Sequence, residues 1–431
     1  MTASRPSPEA SLDTWLAYLE TLHPTTIELG LDRIRRVAQT LELQLPCVKI
    51  TVGGTNGKGS NCAMLEAILL AAGYKVGLYT SPHLVNFNER IRINGDSLDD
   101  SAIVQQFARI DAARGETSLS YFEFATLAAM LAFQQEGVEV AILEVGLGGR
   151  LDAVNIMSAD CAIVTSVDLD HVEWLGDTRE AIGYEKAHIF RPGKPAICAD
   201  PMPPDSLVQY AEQIGADLWR FGRDFNYSGD KQQWAYGGRD QRRRALAYPA
   251  LRGANQLLNA SAALAALESL QDLLVVPQQA VRVGLLQVNL PGRFQILPGR
   301  PTIVLDVAHN PHAVAALSQN LDNMGFHAYT HAVVGMVQDK DIAATLKSLV
   351  GKVDHWHCAS LPGPRGASAA KLAGIVRELL PRETDEPVTV TEYENPVLAF
   401  RAAQGQVDEN DRILVFGSFS TVGPVLQELG R

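Results

Sequence analysis

Val48-Lys49-Ile50-Thr51-Val52-Gly53-Gly54-Thr55-Asn56-Gly57-Lys58-Gly59-Ser60 is the stretch whose reading decides the fold. Residues 48–52 form a β-like run. A helix-like run over 61–72, closed by Gly73, follows. Strand, glycine loop and helix in that order is the setting a phosphate-binding loop needs. Glycines let the backbone turn tightly and approach an anion. The helix that follows offers unpaired N–H groups and the positive end of its dipole. Lys58 adds a mobile cation and Ser60 a hydroxyl for Mg²⁺. A glycine-rich turn that touches no ligand is the plain alternative, and the placement of Lys58 and Ser60 speaks against it. Gly59 stands between the lysine and the serine, where the usual loop has Ser or Thr directly after Lys, so this is a particular subtype.

Working outward, alternating strands and helices predict a doubly wound, mostly parallel α/β sheet. The spacing predicts helices over 11–22, 30–41, 101–114 and 122–136, with strands over 76–80, 90–94, 138–143 and 161–165. In such sheets ligands bind beyond the C-terminal strand ends. Residues 53–60, Ser81, Glu144 and the run Asp168-Leu169-Asp170-His171 all sit at such ends. Over 217–250 aromatic and polar residues alternate, predicting a small antiparallel meander. Its run Arg239-Asp240-Gln241-Arg242-Arg243-Arg244 reads as a solvated hairpin tip. Turn residues over 290–300 predict a linker between an N-terminal domain, 1–289, and a smaller C-terminal α/β domain, 301–431.

The bulk numbers fit this. A chain of 431 residues is too long for one ordinary core. Hydrophobic residues make up 46% and charged ones 20%, as in a soluble globular protein. A net charge of −12 argues against nonspecific binding to nucleic acid or an anionic membrane. The five cysteines are scattered without a CxxC pair, which reads as reduced thiols in a cytoplasmic protein. Residues 1–10 lack the apolar core of a signal peptide, and no run is long enough to span a membrane.

Ser60, Ser81, Glu144 and His171 together offer hydroxyls, a carboxylate and an imidazole that could share Mg²⁺ with nucleotide phosphates. Imidazole is not a favoured Mg²⁺ ligand, and His171 reads equally as a hydrogen-bonded loop histidine. Glu144 ends an apolar strand, where an unpaired buried carboxylate is costly, so a cation partner is expected. Asp168 and Asp170 read as capping or supporting groups. Lys186, beside Glu185, reads on its own as a surface helix lysine. Asp306-Val307-Ala308-His309-Asn310-Pro311 follows a strand and opens a helix. It reads as a second cluster for chemistry, as an Asn310 helix cap, or as both. No GxSxG elbow supports serine hydrolase chemistry.

Several motifs occur in order: Gly54-Thr-Asn-Gly-Lys-Gly-Ser60; Thr80-Ser-Pro-His-Leu84 with Glu89-Arg-Ile-Arg-Ile-Asn-Gly95; Tyr121-Phe-Glu-Phe124; Glu144-Val-Gly-Leu-Gly-Gly-Arg-Leu-Asp152; Leu169-Asp-His171; Glu185-Lys-Ala187; Pro291-Gly-Arg-Phe294; and Asp306-Val-Ala-His-Asn-Pro311. Together they resemble those of the folylpolyglutamate synthase family, above all its bacterial bifunctional dihydrofolate synthase/folylpolyglutamate synthase members. These are ATP-dependent amide ligases related to the Mur ligases.

The resemblance implies a cytoplasmic, monomeric enzyme that adds L-glutamate to dihydropteroate and to reduced folates. It implies ATP, two Mg²⁺ ions and a monovalent cation as cofactors, with no nucleic-acid or membrane partner. ATP positions are Gly54, Thr55, Asn56, Gly57, Lys58, Gly59, Ser60, Asn255, Gln256, Asn259, Arg293 and Asp306. Metal positions are Ser60, Ser81, Glu144 and His171. Catalytic positions are Lys58, Lys186, Asp306 and His309, with Lys186 matching a lysine that can be carbamylated. Ser120, Phe122, Asp152 and Ala153 match the pterin site. Val154 stands where the family often has Thr, and Ser120 where Thr is common. A Mur-type ligase acting on a UDP-sugar peptide and a P-loop regulatory protein are the alternative readings.

Overall fold

A computed structural model describes residues 5–25, 28–230, 232–381 and 388–430. Residues 1–4 of the N-terminal stretch, and Lys231 within the meander, lie outside the described residues. The chain divides into two compact units, 1–250 with 257–288, and 251–256 with 289–431.

The first unit is built on an eight-stranded sheet. Its strands are β1 (Val48–Gly53), β2 (Val76–Tyr79), β3 (Ile91–Ile93), β4 (Asp96–Ser97), β5 (Val140–Glu144), β6 (Cys161–Val164), β7 (Pro195–Cys198) and β8 (Asp217–Arg220). Their order is β4-β3-β2-β5-β1-β6-β7-β8. The pairs β2–β3 and β3–β4 are antiparallel and the rest parallel, as the alternating pattern requires. The chain leaves β1 for β2 on one side, then returns through β5 to β6 on the other. β1 therefore lies at the switch point where such sheets open a crevice. All of β5 and β6 is buried, as strands covered on both faces must be.

One face packs against the helices Leu12–Leu22, Asp32–Thr40, Asp100–Arg114 and Tyr121–Glu136. Ser11 caps the first, its hydroxyl accepting from Thr14 N. Trp15, Phe107 and Phe124 are buried there, the rings of Phe107 and Phe124 meeting edge to face at 5.5 Å. Such aromatic burial contributes roughly 1.5–3 kcal/mol per side chain. The helix Lys58–Ala71 is buried on nearly every side. It lies so close to helix Gln278–Gln287 that a Cβ on Gly284 would stand 2.5 Å from Ile68 Cα. That contact fixes the helix whose N-terminus carries the glycine loop.

The meander is shorter than the aromatic pattern suggested. β9 (Asn226–Gly229), β10 (Trp234–Gly237) and β11 (Arg242–Leu246) form it, whereas Trp219 lies on β8 at the edge of the large sheet. The arginine run is also less solvated than a hairpin tip. Arg239 pairs with Asp217 at 2.7 Å and Asp224 at 3.0 Å, stacks on Trp219, and Arg243 donates to Val276 O.

The second unit has the sheet order β12-β13-β17-β14-β15-β16. Its strands are β12 (Gln295–Leu297), β13 (Thr302–Asp306), β14 (Thr330–Val334), β15 (His355–Ala359), β16 (Thr389–Tyr393) and β17 (Arg412–Phe416). Only β12 is antiparallel to its neighbour. Residues 290–300 are therefore not a linker throughout: three of them form β12 and belong to the second unit. Pro291, Gly292, Pro298 and Gly299 surround so short an edge strand that its apolar pattern is lost among turn residues. Among the described residues no helix is long and apolar enough to cross a membrane.

Gly284→Val should lower Tm, since the methyls would meet helix backbone and overpacking of that kind costs about 1–3 kcal/mol or more. Gly374→Ala, in a helix with open space around its Cβ, should raise stability by about 0.5–1 kcal/mol. Thermal melts of the two variants check the pair; an unchanged Tm for Gly284→Val would contradict the close helix packing.

Candidate active site

The loop after β1 is held by residues more than a hundred positions away. Thr55 N donates to Ser166 O at 2.8 Å, and Asn56 N to Ser166 Oγ at 3.0 Å. Thr165 Oγ1 donates to Asn56 O at 2.7 Å, and Thr55 Oγ1 accepts from Asp168 N at 3.0 Å. The fit leaves no room for side chains. A Cβ on Gly54 would lie 1.9 Å from Thr165 Oγ1, and one on Gly57 2.6 Å from Asn259 Oδ1. Gly57 also has φ +87°, a conformation that glycine adopts freely. Helix Lys58–Ala71 starts there, so the N–H groups of Lys58, Gly59 and Ser60 form its first turn. Lys58 Nζ donates to Gly54 O at 3.0 Å and Thr55 O at 3.2 Å, which anchors the ammonium on the loop. Asn61 Nδ2 donates to Asn259 O at 2.9 Å, tying helix Gln256–Ser269 to the loop helix.

Glu144 ends β5 beside β1, is 5% exposed, and accepts from Ser81 N at 3.2 Å. Ser81 and Glu144 are thus brought together, as expected. His171 follows β6 in a loop that Asp168 stitches to Thr55; it has φ +52°, and its N–H donates to Asp170 Oδ1. Among the described residues no three His, Cys, Asp or Glu side chains converge as a metal-holding set. The donors present, two hydroxyls and a carboxylate near a phosphate loop, suit a hard ion that keeps water and phosphate ligands.

Lys186 corrects its plain reading as a surface lysine: it is 4% exposed on helix Arg179–Ala187. Burial, then the Lys58 charge, pushes its amine down to about 7, against the pull of Asp170 and Asp152. Asp152 is also buried, and desolvation pushes its carboxyl up to about 6. Leu147 N and Val154 N, donating at 2.8 and 3.0 Å, oppose that rise. Two lysines and two aspartates therefore share one poorly solvated neighbourhood, where pKa values are set by neighbours rather than by water.

Phe122 and Asp152 flank Gly146, where a Cβ would lie 2.7 Å from the Phe122 ring and 3.3 Å from Asp152 Oδ2. Ala153 is buried next to Asp152 and opens the short turn Ala153–Ile156. Ser120 acts locally as the cap of helix Tyr121–Glu136, its Oγ accepting from Glu123 N while Ser120 N donates to Glu123 Oε2 at 2.8 Å. Thr would cap there too, so the departure at Ser120 leaves the cap intact. Val154 has no exposure, which makes its departure a matter of packing.

In the second unit, Asp306 ends β13 and accepts from Phe294 N at 2.8 Å and Ala308 N at 2.7 Å. Desolvation raises its carboxyl pKa, opposed by those N–H groups and Arg293. His309 Nδ1 bonds Val307 O at 2.8 Å; a carbonyl only accepts, so Nδ1 carries the proton and Nε2 the lone pair in the neutral ring. Asn310 caps helix Pro311–Asp322, accepting from Ala313 N, so the capping reading of this turn holds. Arg293 lies 4.9 Å over the Phe419 ring, and His309 is 6.5 Å from the same ring. Phe419, Thr165 and Ser166 were not legible as site residues. Each serves a partner remote in sequence, and only the Ser418 cap after β17 marks where Phe419 would fall.

A nucleotide loop at the switch point, a buried lysine–aspartate group and a separate α/β unit define a Mur-ligase architecture. The Mur ligase middle-domain model matches residues 52–267 and the Mur ligase glutamate ligase domain model residues 292–419. The dihydrofolate synthase/folylpolyglutamate synthase of Escherichia coli is 45% identical over 423 residues, 98% of this chain and 96% of its own. An E. coli structure in complex with DHPP and ADP superposes with a TM-score of 0.92 at 44% identity, covering 99% of both chains. A bifunctional folylpolyglutamate synthase/dihydrofolate synthase with Mn, AMPPNP and L-glutamate bound gives 0.90 at 44% identity, covering 99% of this chain and 100% of that one. The chain belongs to the bifunctional dihydrofolate synthase/folylpolyglutamate synthase family.

Lys186 has a folded pKa near 7, below its ordinary 10.5, so the unfolded chain binds more protons between those values. Stability is then lowest below pH 7 and rises as pH increases toward 10.5. Lys186→Met should be more stable than the parent near pH 7, with its advantage shrinking as pH rises. Chemical denaturation of both across that range tests this; a constant difference would contradict the burial of a titrating amine.

Proposed function

We propose that the chain is an ATP-dependent ligase that adds L-glutamate to 7,8-dihydropteroate, forming dihydrofolate, and to reduced folates, forming polyglutamates. The observation that carries this is the loop of Gly54–Ser60, with Lys58, beside the buried Lys186 and Asp152, and Phe122 and Asp152 flanking one backbone position. An acceptor carboxylate oxygen attacks the γ-phosphorus of ATP, giving an acyl phosphate and ADP. The amine of L-glutamate then attacks the acyl carbon, and phosphate leaves as the amide forms. Little covalent work falls to the protein, so positioning and charge neutralisation dominate.

The residues divide this work. The N–H groups of the loop and helix, with Lys58, cradle and neutralise the phosphates. Ser60, Ser81, Glu144 and His171 would hold divalent ions, which supply charge stabilisation at the transferring phosphoryl group. The relatives bound to ADP, and to Mn with AMPPNP and L-glutamate, support the nucleotide and divalent-metal reading. Lys186, with an amine held near 7, is neutral often enough to take up CO₂ and become a carbamate facing the metals. The Phe122 face suits a flat bicyclic ring, and Asp152 can accept from its ring N–H groups. That pairing favours a pterin over a UDP-sugar peptide. Asn255, Gln256, Asn259, Arg293 and Asp306 would contact the nucleotide, and His309 Nε2 would accept or hold a proton during amide formation. A purely regulatory P-loop protein would need no Phe122–Asp152 site and no Arg293, Asp306 and His309 set. We assign a monomer, and a monovalent cation as an accessory ion.

Lys58→Ala should cut acceptor-dependent ADP release by roughly 10²-fold or more. Product mass analysis with dihydropteroate and with a reduced folate as separate acceptors checks the substrate assignment. No product from dihydropteroate would leave only polyglutamate synthesis. Intact-mass measurement in bicarbonate should show the increment of one CO₂ on the parent and none on Lys186→Met; its absence from the parent would remove the carbamate.

A further inference from the structure

The motifs at 80–84 and 89–95 do more than supply Ser81. Glu89, on the turn Phe87–Arg90, accepts from Leu84 N at 2.7 Å, Val85 N at 2.8 Å and Asn86 N at 2.7 Å. Its carboxylate therefore fastens the loop that follows His83. Arg90 acts on His83 itself: Nε donates to His83 Nδ1 at 2.8 Å. Since Nε always carries hydrogen, Nδ1 must be the acceptor, and the proton of the neutral imidazole sits on Nε2.

Arg90 is unusual among the buried charges. It is 9% exposed, with its guanidinium carbon 5.5 Å from the ring centres of both Phe87 and Tyr121. Several other buried charges of this unit meet an opposite one: Glu66 pairs with Arg92 at 2.9 Å, Asp200 with Arg179 at 3.0 Å, and Asp111 with Arg114 at 2.7 Å. Among the described residues Arg90 has no such carboxylate; its contacts are His83 and two aromatic faces. Ring faces offset part of the lost hydration, but a desolvated cation normally keeps a counter-charge. Five N–H donors belong to a guanidinium and His83 engages one.

The surroundings indicate what the counter-charge is. Ser81, two residues before His83, donates to Glu144. Tyr121 precedes Phe122, whose ring flanks Gly146 with Asp152. Arg90 and His83 thus join the turn of the metal positions to the turn of the pterin positions. Nucleotide phosphates already have the glycine loop and Lys58. The acceptor carries its carboxylate away from its pterin ring, and it is the substrate whose aromatic body would lie next to Tyr121.

We propose that the Arg90 guanidinium, with the Nε2–H of His83 that it orients, binds a carboxylate of the acceptor substrate. The proposal rests on the ligase reading above for the acceptor's identity. Dihydropteroate has one carboxylate, the reacting one; a folate adds the non-reacting carboxylate of its glutamyl group.

The test is equilibrium binding of dihydropteroate and, separately, of a reduced folate, each with a non-hydrolysable ATP analogue, followed by KM and kcat for all three substrates. Arg90→Met keeps the stem between the two rings and removes an uncompensated cation. It should fold with an equal or higher Tm and lose acceptor affinity by roughly tenfold to a hundredfold, with KM for ATP and L-glutamate unchanged. Loss with both acceptors assigns the reacting carboxylate; loss with the folate alone assigns the glutamyl one. Unchanged affinity for both acceptors, or a loss confined to ATP or L-glutamate, overturns the proposal. Should Arg90→Met not fold, Arg90→Lys keeps the charge but not the bond to His83, and the same two outcomes decide. Binding is read without turnover, so a parent protein that binds acceptor yet releases no ADP counts against the ligase reading alone.

Discussion

The glycine loop exists because β1 and β6 run side by side in register, Gly53 opposite Val164. That pairing sets Thr165 and Ser166 directly beneath the loop, and their hydroxyl and backbone groups accept or donate to Thr55 and Asn56. The loop backbone approaches so closely that Gly54 can bear no Cβ. Everything at the site follows from this contact. It fixes where the helix from Lys58 starts, hence where its N–H groups and the lysine stand. Helix packing at Gly284 then holds the same helix from its other side. A phosphate cradle made of backbone needs such rigidity, because a loop free to relax would turn its dipoles toward water.

The site also concentrates charge where the sheet is least solvated. Glu144, Asp152 and Lys186 are each about 5% exposed or less, Glu144 at the end of an otherwise apolar strand, Asp152 before a short turn and Lys186 in the last turn of its helix. Such groups lower stability unless they meet partners. Here the partners are partly one another and partly the ligands the site would hold. Asp152 is pushed up toward 6 and Lys186 down toward 7, so both are displaced from their ordinary values toward neutrality. Binding sites commonly store instability of this kind and release it when a charged ligand arrives. Arg90 extends the pattern with a cation braced by rings in place of a carboxylate.

Much of the fold was legible because its signals are local. Short apolar runs marked β1, β2, β5, β6, β13, β14 and β17, and caps such as Ser11 and Asn310 marked helix starts. What escaped was short or composite. β12 hides between turn residues, and Trp219 alternates like its meander neighbours yet pairs with β7 through β8. Lys186 read as a surface lysine because helix periodicity around Glu185 and Lys186 is weak; the fold turns it toward Lys58, Asp152 and Asp170, residues remote in sequence, and buries it there.

By itself the sequence determined the kinds of chemistry available: a Gly-Lys-Gly-Ser loop after a strand, carboxylates at strand ends, and the ordered motifs of a glutamate-adding ligase family. Those are properties of residue type and spacing, which the chain carries unfolded. Tertiary structure alone decided the protonation preferences of Lys186 and Asp152, the clasp of Thr165 and Ser166 on the loop, and the bond from Arg90 to His83. These depend on which distant residues exclude water from which groups, and desolvation is a property of the packed chain.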